Sequence, residues 1–349
     1  MHDKKISLFQ TERIWENIRE QVYEIVDKEH KNGRSQKGEI VNDLEELLAK
    51  KFNRKYCVTT GNCSDSLTLS CLTLGLKKNS RVGVSNFTFV ASAHSISRAG
   101  LIPVPIDIKK NYTIDTNKIK NVDAVMGVDI FGNISNWDEI LKLNVPTIND
   151  AAQSLESHDE FCYSAKYGDI SCISFSPSKT VSSWGSGGAI LTDDENIAKK
   201  IQKLRLHGKS NNSELSIGVG LNSMLSSFEA ACVYSGLLLS DKWQQRRSKI
   251  TEYLIKNSQY KCYLDSLKKH TYHKLVFESE FRDKDIRKMK EKYNIICGIH
   301  YKNCINDEKI YKSKNKFSMS EKKRKKVFTV PNQHTLTDTE VELIAKALK

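Results

Sequence analysis

The 349-residue sequence has no apolar run of the about 20 residues that a membrane-spanning helix needs. Its first residues, MHDKKISLFQTERIWENIRE, contain no apolar segment followed by a small-residue cleavage site, so we expect no signal peptide. The nine cysteines are scattered and never spaced C-x-x-C, which argues against a zinc site and a disulfide framework. These absences predict a cytoplasmic protein with no metal and no membrane contact.

The net charge of +13 leaves two interpretations open. In the first, the lysine-rich segments, such as SEKKRKKVF, form a solvated surface. In the second, basic residues line a cleft that attracts an anionic ligand such as a nucleotide diphosphate. We find no basic helix with a DNA-docking motif and no aromatic-basic RNA-binding segment, so nucleic acid is not an expected partner. For the lysine-rich stretch 308–326 we predict a mobile loop.

Strand-like apolar runs alternate with helical patterns over the first two thirds of the chain. Examples of the strand-like runs are KYCVTT, RVGVS, DAVMGVDI, VPTIND and DISCISF. The alternation predicts an α/β fold with a mostly parallel sheet flanked by helices. From about residue 236 the pattern changes to charged helices and a few short apolar runs. We therefore predict a large domain over 1–235 and a smaller α+β domain over 236–349.

Three of the predicted strands are followed by residues with useful chemistry. Ser64 and Asp65 come after KYCVTT at the start of a predicted helix. This helix start either binds a phosphate or is simply capped by Ser64. Asp150 comes after VPTIN and needs a partner if it is buried, unless it caps a helix. Lys179 follows SFSPS, where it reaches solvent or forms a Schiff base. Because ligands bind at the carboxyl ends of parallel strands, we expect these groups at one site.

Together the three groups match the needs of pyridoxal 5'-phosphate (PLP). The phosphate suits the helix start, Asp150 suits the pyridinium nitrogen, and the amine of Lys179 suits the aldehyde. A carboxylate keeps the ring nitrogen protonated, because a nearby opposite charge favours the charged form. Phe87 or Phe89 in NFTFVAS is a candidate to cover the ring face, unless both are core residues.

The sequence resembles, over nearly its whole length, the DegT/DnrJ/EryC1/StrS family of PLP-dependent nucleotide-sugar aminotransferases. NCSDSL is similar to the family pattern N-G-T-D-A-L, FTFVAS to T-F-x-A-T, and NDAAQ to D-x-A-Q. SFSPSKTVSSWGSGGA is similar to S-F-x-x-x-K followed by G-G-A, and LRLHG, GIHY and VPNQHTLTDTEVELIAKAL also fit. The resemblance implies the aspartate-aminotransferase (type I) fold.

The resemblance also implies roles for particular residues. The family pattern implies that Lys179 binds PLP covalently and also shuttles the proton. It implies that Asp150 contacts the ring nitrogen of the cofactor. The other implied cofactor contacts are Ser64, Asp65, Phe89 (against the ring), Gln153 (beside the ring hydroxyl), Ser174 (phosphate) and Asn222 (phosphate of a neighbouring subunit). His300 and Tyr301 are candidate substrate contacts, although a histidine-tyrosine pair in a short apolar run is equally compatible with packing.

Some positions depart from the family pattern. Cys63 stands in place of a glycine in the phosphate loop, and Asp129 in place of the histidine of V-H-x-x-G. Ser223 and Met224 replace the Tyr-Arg pair that follows Asn222. These departures concern the contacts to the substrate more than the contacts to the cofactor.

The implied reaction is the transfer of an amino group, from L-glutamate, to the ketone of a nucleotide-linked 4- or 3-keto-6-deoxy sugar. The cofactor would pass through pyridoxamine phosphate (PMP), and the products would serve lipopolysaccharide, O-antigen or related glycan synthesis. The shared Asn222 implies a homodimer. Two alternatives remain: a PLP-dependent sugar dehydratase of the same family, and a non-catalytic regulatory or nucleic-acid-binding relative. The dehydratases either replace the anchoring lysine with histidine, which Lys179 argues against, or pair with an iron–sulfur partner.

Overall fold

The computed structural model describes residues 5–209, 215–313 and 315–349. The α-helices in these ranges are α1 (Thr11–Lys31), α2 (Glu39–Lys51), α3 (Cys63–Thr73), α4 (Ala91–Arg98), α5 (Trp137–Leu141), α6 (Glu195–Leu204), α7 (Ser227–Lys256), α8 (Arg282–Tyr293), α9 (Ser318–Lys326) and α10 (Asp338–Ala347). The β-strands are β1 (Tyr56–Thr60), β2 (Arg81–Ser85), β3 (Ile102–Ile106), β4 (Ala124–Val128), β5 (Thr147–Asp150), β6 (Ile170–Ser174), β7 (Gly188–Thr192), β8 (Leu275–Glu278) and β9 (Val327–Val330).

In the described part of the chain, the main sheet has seven strands in the order β1-β7-β6-β5-β4-β2-β3. The pairs from β3 to β6 are all parallel, and β7 runs antiparallel to both of its neighbours, β1 and β6. Strands β4, β5, β6 and β7 are buried at every residue, which explains the nearly continuous apolar sequences of β4 and β7. The predicted α/β class with a mostly parallel sheet is confirmed.

Helices cover both faces of this sheet. On one face α3 and α6 contribute core residues such as Leu67 and Ile201. On the other face α1, α2 and α7 contribute Val22, Leu44 and Val233. Because both faces are covered, the carboxyl edge of the parallel strands is the part of the sheet left open to a ligand.

A second sheet, formed by the antiparallel pair β8 and β9, lies in a separate apolar cluster with α8 and α10. Helix α7 contributes Val233 to the core of the main sheet and Leu254 to this second cluster. It therefore runs across the predicted domain boundary after residue 235, and the division into 1–235 and 236–349 stays a prediction. None of the described helices combines the length and the apolar character needed to cross a lipid bilayer.

The lysine-rich stretch 308–326 contains a helix where the sequence predicts a loop. The last part of the stretch forms α9, and Lys323 on this helix is buried. Its ammonium group pairs with Glu278 and lies 3.6 Å from the centroid of the Tyr263 ring. The hydroxyl of Tyr112 donates a 2.6 Å hydrogen bond to the same carboxylate. The loop prediction is wrong for α9, because a run of lysines does not reveal that one of them is buried and paired.

Replacing Lys323 by methionine is expected to lower the free energy of unfolding by about 3 kcal/mol. The substitution leaves the carboxylate of Glu278 buried without its cation, and an unpaired buried charge is strongly destabilising. The measurement is urea denaturation beside Lys322→Met, which removes the exposed neighbouring lysine and should change stability by less than about 0.5 kcal/mol. Equal stabilities of the two variants would show that the buried pair does not stabilise the fold.

Candidate active site

The carboxyl ends of β1, β5 and β6 meet at one edge of the sheet and border a cavity of about 400 Å³. The predicted site residues that line it are Ser64, Phe89, Asp150, Gln153, Ser174, Lys179, His300 and Tyr301. A larger, more open depression of about 810 Å³ borders Arg54 and Thr147 at the opposite edge and contains none of the predicted residues. Ligands of α/β proteins bind at the carboxyl edge, so the smaller cavity is the candidate active site.

Lys179 lies in the loop between β6 and β7. Its backbone N–H donates to the carbonyl of Ser176, and the hydroxyl of Ser183 donates to the carbonyl of Ser186, so the loop folds back on itself. Burial lowers the pKa of the Lys179 amine below its ordinary value. A lysine of lowered pKa has a larger neutral fraction near pH 7, and the neutral amine is the form that acts as a nucleophile and a base.

Asp150 is the last residue of β5, and its side chain is buried. The hydroxyl of Ser92 donates a 2.7 Å hydrogen bond to Oδ2, and the N–H of Ala152 donates a 3.3 Å bond to Oδ1. Burial raises the pKa of this carboxyl, and the bond from Ser92 opposes that effect. A cationic group entering the cavity would find in Asp150 a fixed anion that lacks a full counter-charge.

Helix α3 points its first turn at the cavity. Asn62 caps the helix by accepting a 2.8 Å bond from the N–H of Asp65, whereas the N–H groups of Cys63 and Ser64 have no intrahelical acceptor. Ser174, at the end of β6, lines the same cavity. Free N–H groups, hydroxyls and the helix dipole together form a site suited to a phosphate.

Two predicted cofactor contacts lie outside this cavity. The carboxylate of Asp65 accepts 2.8 Å bonds from the side chains of Asn62 and Ser223, and its backbone N–H is already paired. The geometry therefore does not support a direct cofactor contact from Asp65, which instead fixes the start of α3. Asn222 is exposed, and its contact with a second subunit stays a prediction.

Gln153 and Tyr301 form a hydrogen-bonded group on one side of the cavity. The amide nitrogen of Gln153 donates to the Tyr301 hydroxyl over 3.0 Å, and its amide oxygen lies 3.1 Å from Nδ1 of His273. Phe87 is fully buried, whereas Phe89 is 55% exposed and lines the cavity. Of the two candidates for covering a ring, the structure leaves Phe89 accessible and assigns Phe87 to the core.

His300 lines the cavity from the segment between α8 and α9. Its Nδ1 lies 2.8 Å from the hydroxyl of Thr329. Burial, together with the positive charges of Lys274 and Lys179, lowers the pKa of His300 to about 3. The imidazole is therefore neutral near pH 7 and offers hydrogen bonds rather than a charge.

His273 and Lys274 also line the cavity, and neither was predicted from the sequence. Both directly precede β8, in a stretch whose sequence indicates only a short apolar run. Burial and the positive charges of Lys179 and Arg247 lower the pKa of Lys274 to about 7. The available signal was two consecutive basic residues directly before an apolar strand.

The positions that depart from the family pattern lie at different distances from the cavity. Cys63 lines it as the first residue of α3. Ser223 donates to Asp65 and accepts a 3.0 Å bond from the N–H of Gly61, so it supports the start of α3 from outside. Asp129 is buried elsewhere, accepts a 2.6 Å bond from Ser164, and has a pKa that burial raises to about 6.

Replacing Gly188 by alanine is expected to weaken PLP binding about tenfold or more. A Cβ at this first residue of β7 would lie 2.7 Å from the backbone nitrogen of Cys63, so the start of α3 must shift. A displaced first turn loses hydrogen bonds to the phosphate, each with a net contribution of about 1 kcal/mol or more. The measurement is PLP titration by fluorescence.

The control for this substitution is Gly83→Ala in β2, where the nearest atom to a Cβ is 3.4 Å away and belongs to the side chain of Val122. Equal PLP affinities of the Gly188 and Gly83 variants would show that the phosphate does not depend on the position of α3.

Comparison with known proteins identifies aminotransferases as relatives of this chain. The model of the DegT/DnrJ/EryC1/StrS aminotransferase family matches residues 16–349. A UDP-2-acetamido-2-deoxy-3-oxo-D-glucuronate aminotransferase of Pseudomonas aeruginosa is 31% identical over 223 residues, which cover 61% of this chain and 62% of that protein. A dTDP-3-amino-3,6-dideoxy-alpha-D-galactopyranose transaminase of Aneurinibacillus thermoaerophilus is 28% identical over 324 residues, covering 88% and 89%. The chain thus spans about three fifths of the length of the first of these relatives.

Solved structures agree in fold. NtdA from Bacillus subtilis with bound cofactor PMP superposes with a TM-score of 0.92 at 21% identity, covering 100% of this chain and 85% of that one. A DegT DnrJ EryC1 StrS aminotransferase from Brucella abortus gives a TM-score of 0.90 at 22% identity, covering 96% of each chain. The predicted type I fold is confirmed. Because the family model matches nearly the entire chain, the protein belongs to the DegT/DnrJ/EryC1/StrS aminotransferase family, whose cofactor is PLP.

Proposed function

We propose that the protein is an aminotransferase that uses PLP to move an amino group from L-glutamate to the ketone of a nucleotide-linked 4- or 3-keto-6-deoxy sugar. The observation that carries the proposal is the single cavity in which Lys179, Asp150 and the start of α3 meet. The names of the relatives support a sugar-nucleotide acceptor, since they include transaminases of UDP- and dTDP-linked sugars.

The residues of the cavity fit PLP. Its volume of about 400 Å³ falls within the range of small-molecule sites, roughly 300 to 1,000 Å³. Asp150 is a buried carboxylate held by two neutral donors, which suits a protonated ring nitrogen. The first turn of α3 with Ser64 and Ser174 suits the phosphate, and Lys179 suits the aldehyde.

Phe89 and Gln153 would orient the cofactor ring. The accessible ring of Phe89 would cover one face of the pyridine. The side chain of Gln153 would lie beside the ring hydroxyl, and its contacts with Tyr301 and His273 restrict its rotation. Orientation of this kind lowers the barrier because the reacting groups need not find their geometry during the reaction.

Lys179 would carry out the proton transfers. When bound, PLP supplies the electron sink that accepts the electron pair left on the α-carbon of the donor. Nζ of Lys179 would take up the α-proton of the donor and release it again later in the same half-reaction. Asp150 would hold the proton on the ring nitrogen throughout. The same groups, used in the opposite order, would aminate the sugar ketone.

We further propose a cytoplasmic homodimer with two shared sites, acting in lipopolysaccharide, O-antigen or related glycan synthesis. Support for the dimer comes from Asn222, which is exposed, and from the segment before it. Leu215, Ile217 and Val219 are all exposed there, and exposed apolar groups of this kind are typical of protein interfaces.

The test of the proposed reaction begins with the absorption spectrum of the PLP-loaded protein before and after L-glutamate. We expect conversion to the PMP form and one 2-oxoglutarate per site. Nucleotide-linked 4-keto and 3-keto sugars are then offered to the PMP form, and mass spectrometry should find an amino sugar. A PLP-loaded protein that no amino acid converts would contradict the proposal. Loss of water from the sugar would identify the dehydratase instead.

A further inference from the structure

Lys274 is a second lysine of the active-site cavity, and the proposed mechanism does not use it. Its side chain is 7% exposed, and its ammonium group lies 4.7 Å from the ring centroid of Phe9, which also lines the cavity. The charged groups that act on it are Lys179 and Arg247, which are both cations. Among the described residues, no carboxylate forms an ion pair with Lys274.

Lys323, the other buried lysine described above, has the anionic partner that Lys274 lacks. Lys323 pairs with Glu278, so its burial is compensated within the chain. Lys274 is 7% exposed, against 3% for Lys323, and has no such partner. A buried ammonium group without an anion is costly, which is why the pKa of Lys274 is lowered to about 7. Since Lys274 lines a cavity rather than the core, a molecule that enters the cavity can supply the anion.

We propose that Lys274 recognises a carboxylate group on a substrate of this enzyme. This assignment rests on the proposed function, because it takes the occupant of the cavity to be a substrate of amino transfer. The cofactor phosphate has its own place at the start of α3 and Ser174. A nucleotide diphosphate is joined to the anomeric carbon, which is opposite the reacting carbon of a 4-keto sugar and two carbons away from that of a 3-keto sugar, whereas the α-carboxylate of an amino-acid donor is bonded to the reacting carbon itself. A carboxylate close to the reacting carbon suits the position of Lys274 near Lys179 better.

Two substrates are possible sources of this carboxylate: the amino-acid donor, or an acceptor that is a sugar acid in place of the 6-deoxy sugar proposed above. Both would make a charge-assisted hydrogen bond to the ammonium group. Binding would also favour the charged form of Lys274, because an opposite charge raises the pKa of an amine.

The experiment is calorimetric binding to the PLP-loaded protein with two unreactive pairs of probes. Glutarate and glutaramide report on the donor side, and UDP-glucuronate and UDP-glucose report on the acceptor side. In the wild type, the acidic member of one pair should bind roughly 10- to 100-fold more tightly than its neutral partner. Lys274→Met should abolish that preference, and Lys274→Arg should restore part of it. Lys268→Met, at an exposed lysine, is the matched control and should keep it.

The pair of probes for which Lys274→Met loses the preference for the acid identifies the substrate that carries the carboxylate. The proposal is overturned if the wild type prefers neither acid, or if Lys274→Met keeps the preference. It is also overturned if Lys274→Met weakens PLP, or weakens both UDP-sugars equally, since Lys274 would then bind the cofactor phosphate or the diphosphate. Should the methionine variant not fold, as judged by circular dichroism, Lys274→Gln replaces it.

Failure of the proposed function has a different signature. A wild type that shows a carboxylate preference dependent on Lys274 but gives no conversion with L-glutamate or any other amino acid would contradict amino transfer, while still showing that Lys274 binds a carboxylate.

Discussion

Lys179→Ala is expected to reduce amino transfer by on the order of 10⁴-fold or more, because one substitution removes both the covalent anchor and the base. The loop that carries Lys179 is closed by its own backbone and serine hydrogen bonds, so the variant should fold normally. PLP should still bind through the phosphate and ring contacts, with reduced affinity. The measurement is single-turnover conversion of the bound cofactor by L-glutamate, followed by steady-state turnover with the sugar substrate.

Two variants control for this result. Lys179→Arg keeps a cation in the loop but has no amine that can bond to an aldehyde, so it should be nearly as inactive as the alanine variant. Lys268→Ala removes an exposed lysine and should leave turnover unchanged. Turnover of Lys179→Ala above about 1% of the wild type would rule out Lys179 as the principal base.

Asp150→Asn is expected to lower turnover by roughly 10²- to 10³-fold while PLP affinity changes much less. An amide of the same shape cannot hold a proton on the ring nitrogen, and this proton makes the ring an effective electron sink. Single-turnover rates and PLP titrations separate the two effects. Ser92→Ala, which removes the 2.7 Å hydrogen bond to Asp150, should lie between the wild type and Asp150→Asn.

The control for Asp150 is Asp138→Asn, which replaces an exposed carboxylate in the first turn of α5. It should have the activity of the wild type. If Asp150→Asn is about as active as this control, Asp150 does not serve the ring nitrogen.

The assembly of Lys179, Asp150 and Ser174 in one cavity was predictable from the sequence. Each follows or ends a strand, and parallel strands bring their carboxyl ends to a common edge. The motifs of the family then supplied the chemistry. The direction of β7, antiparallel to both neighbours, did not follow from its apolar sequence, because a buried strand has the same pattern in either orientation.

The rest of the cavity was harder to predict because it depends on contacts between distant parts of the chain. Gln153 meets Tyr301 across 148 positions of sequence. Lys274 reaches the cavity from the segment before β8, where no repeating pattern indicates which way the chain turns. Asp65 lies in the predicted motif, yet its carboxylate accepts hydrogen bonds from Asn62 and Ser223 and does not line the cavity.

The most direct test of the account is to identify the lysine that bonds to PLP. The PLP-loaded protein is treated with borohydride, which fixes the cofactor to its lysine, and is then digested and analysed by mass spectrometry. Among the residues that the structure describes, two lysines line the cavity, which makes the result decisive. We predict that the added mass is found on the peptide containing Lys179. Label on Lys274, or no covalent label on a protein that has bound PLP, would contradict the central claim.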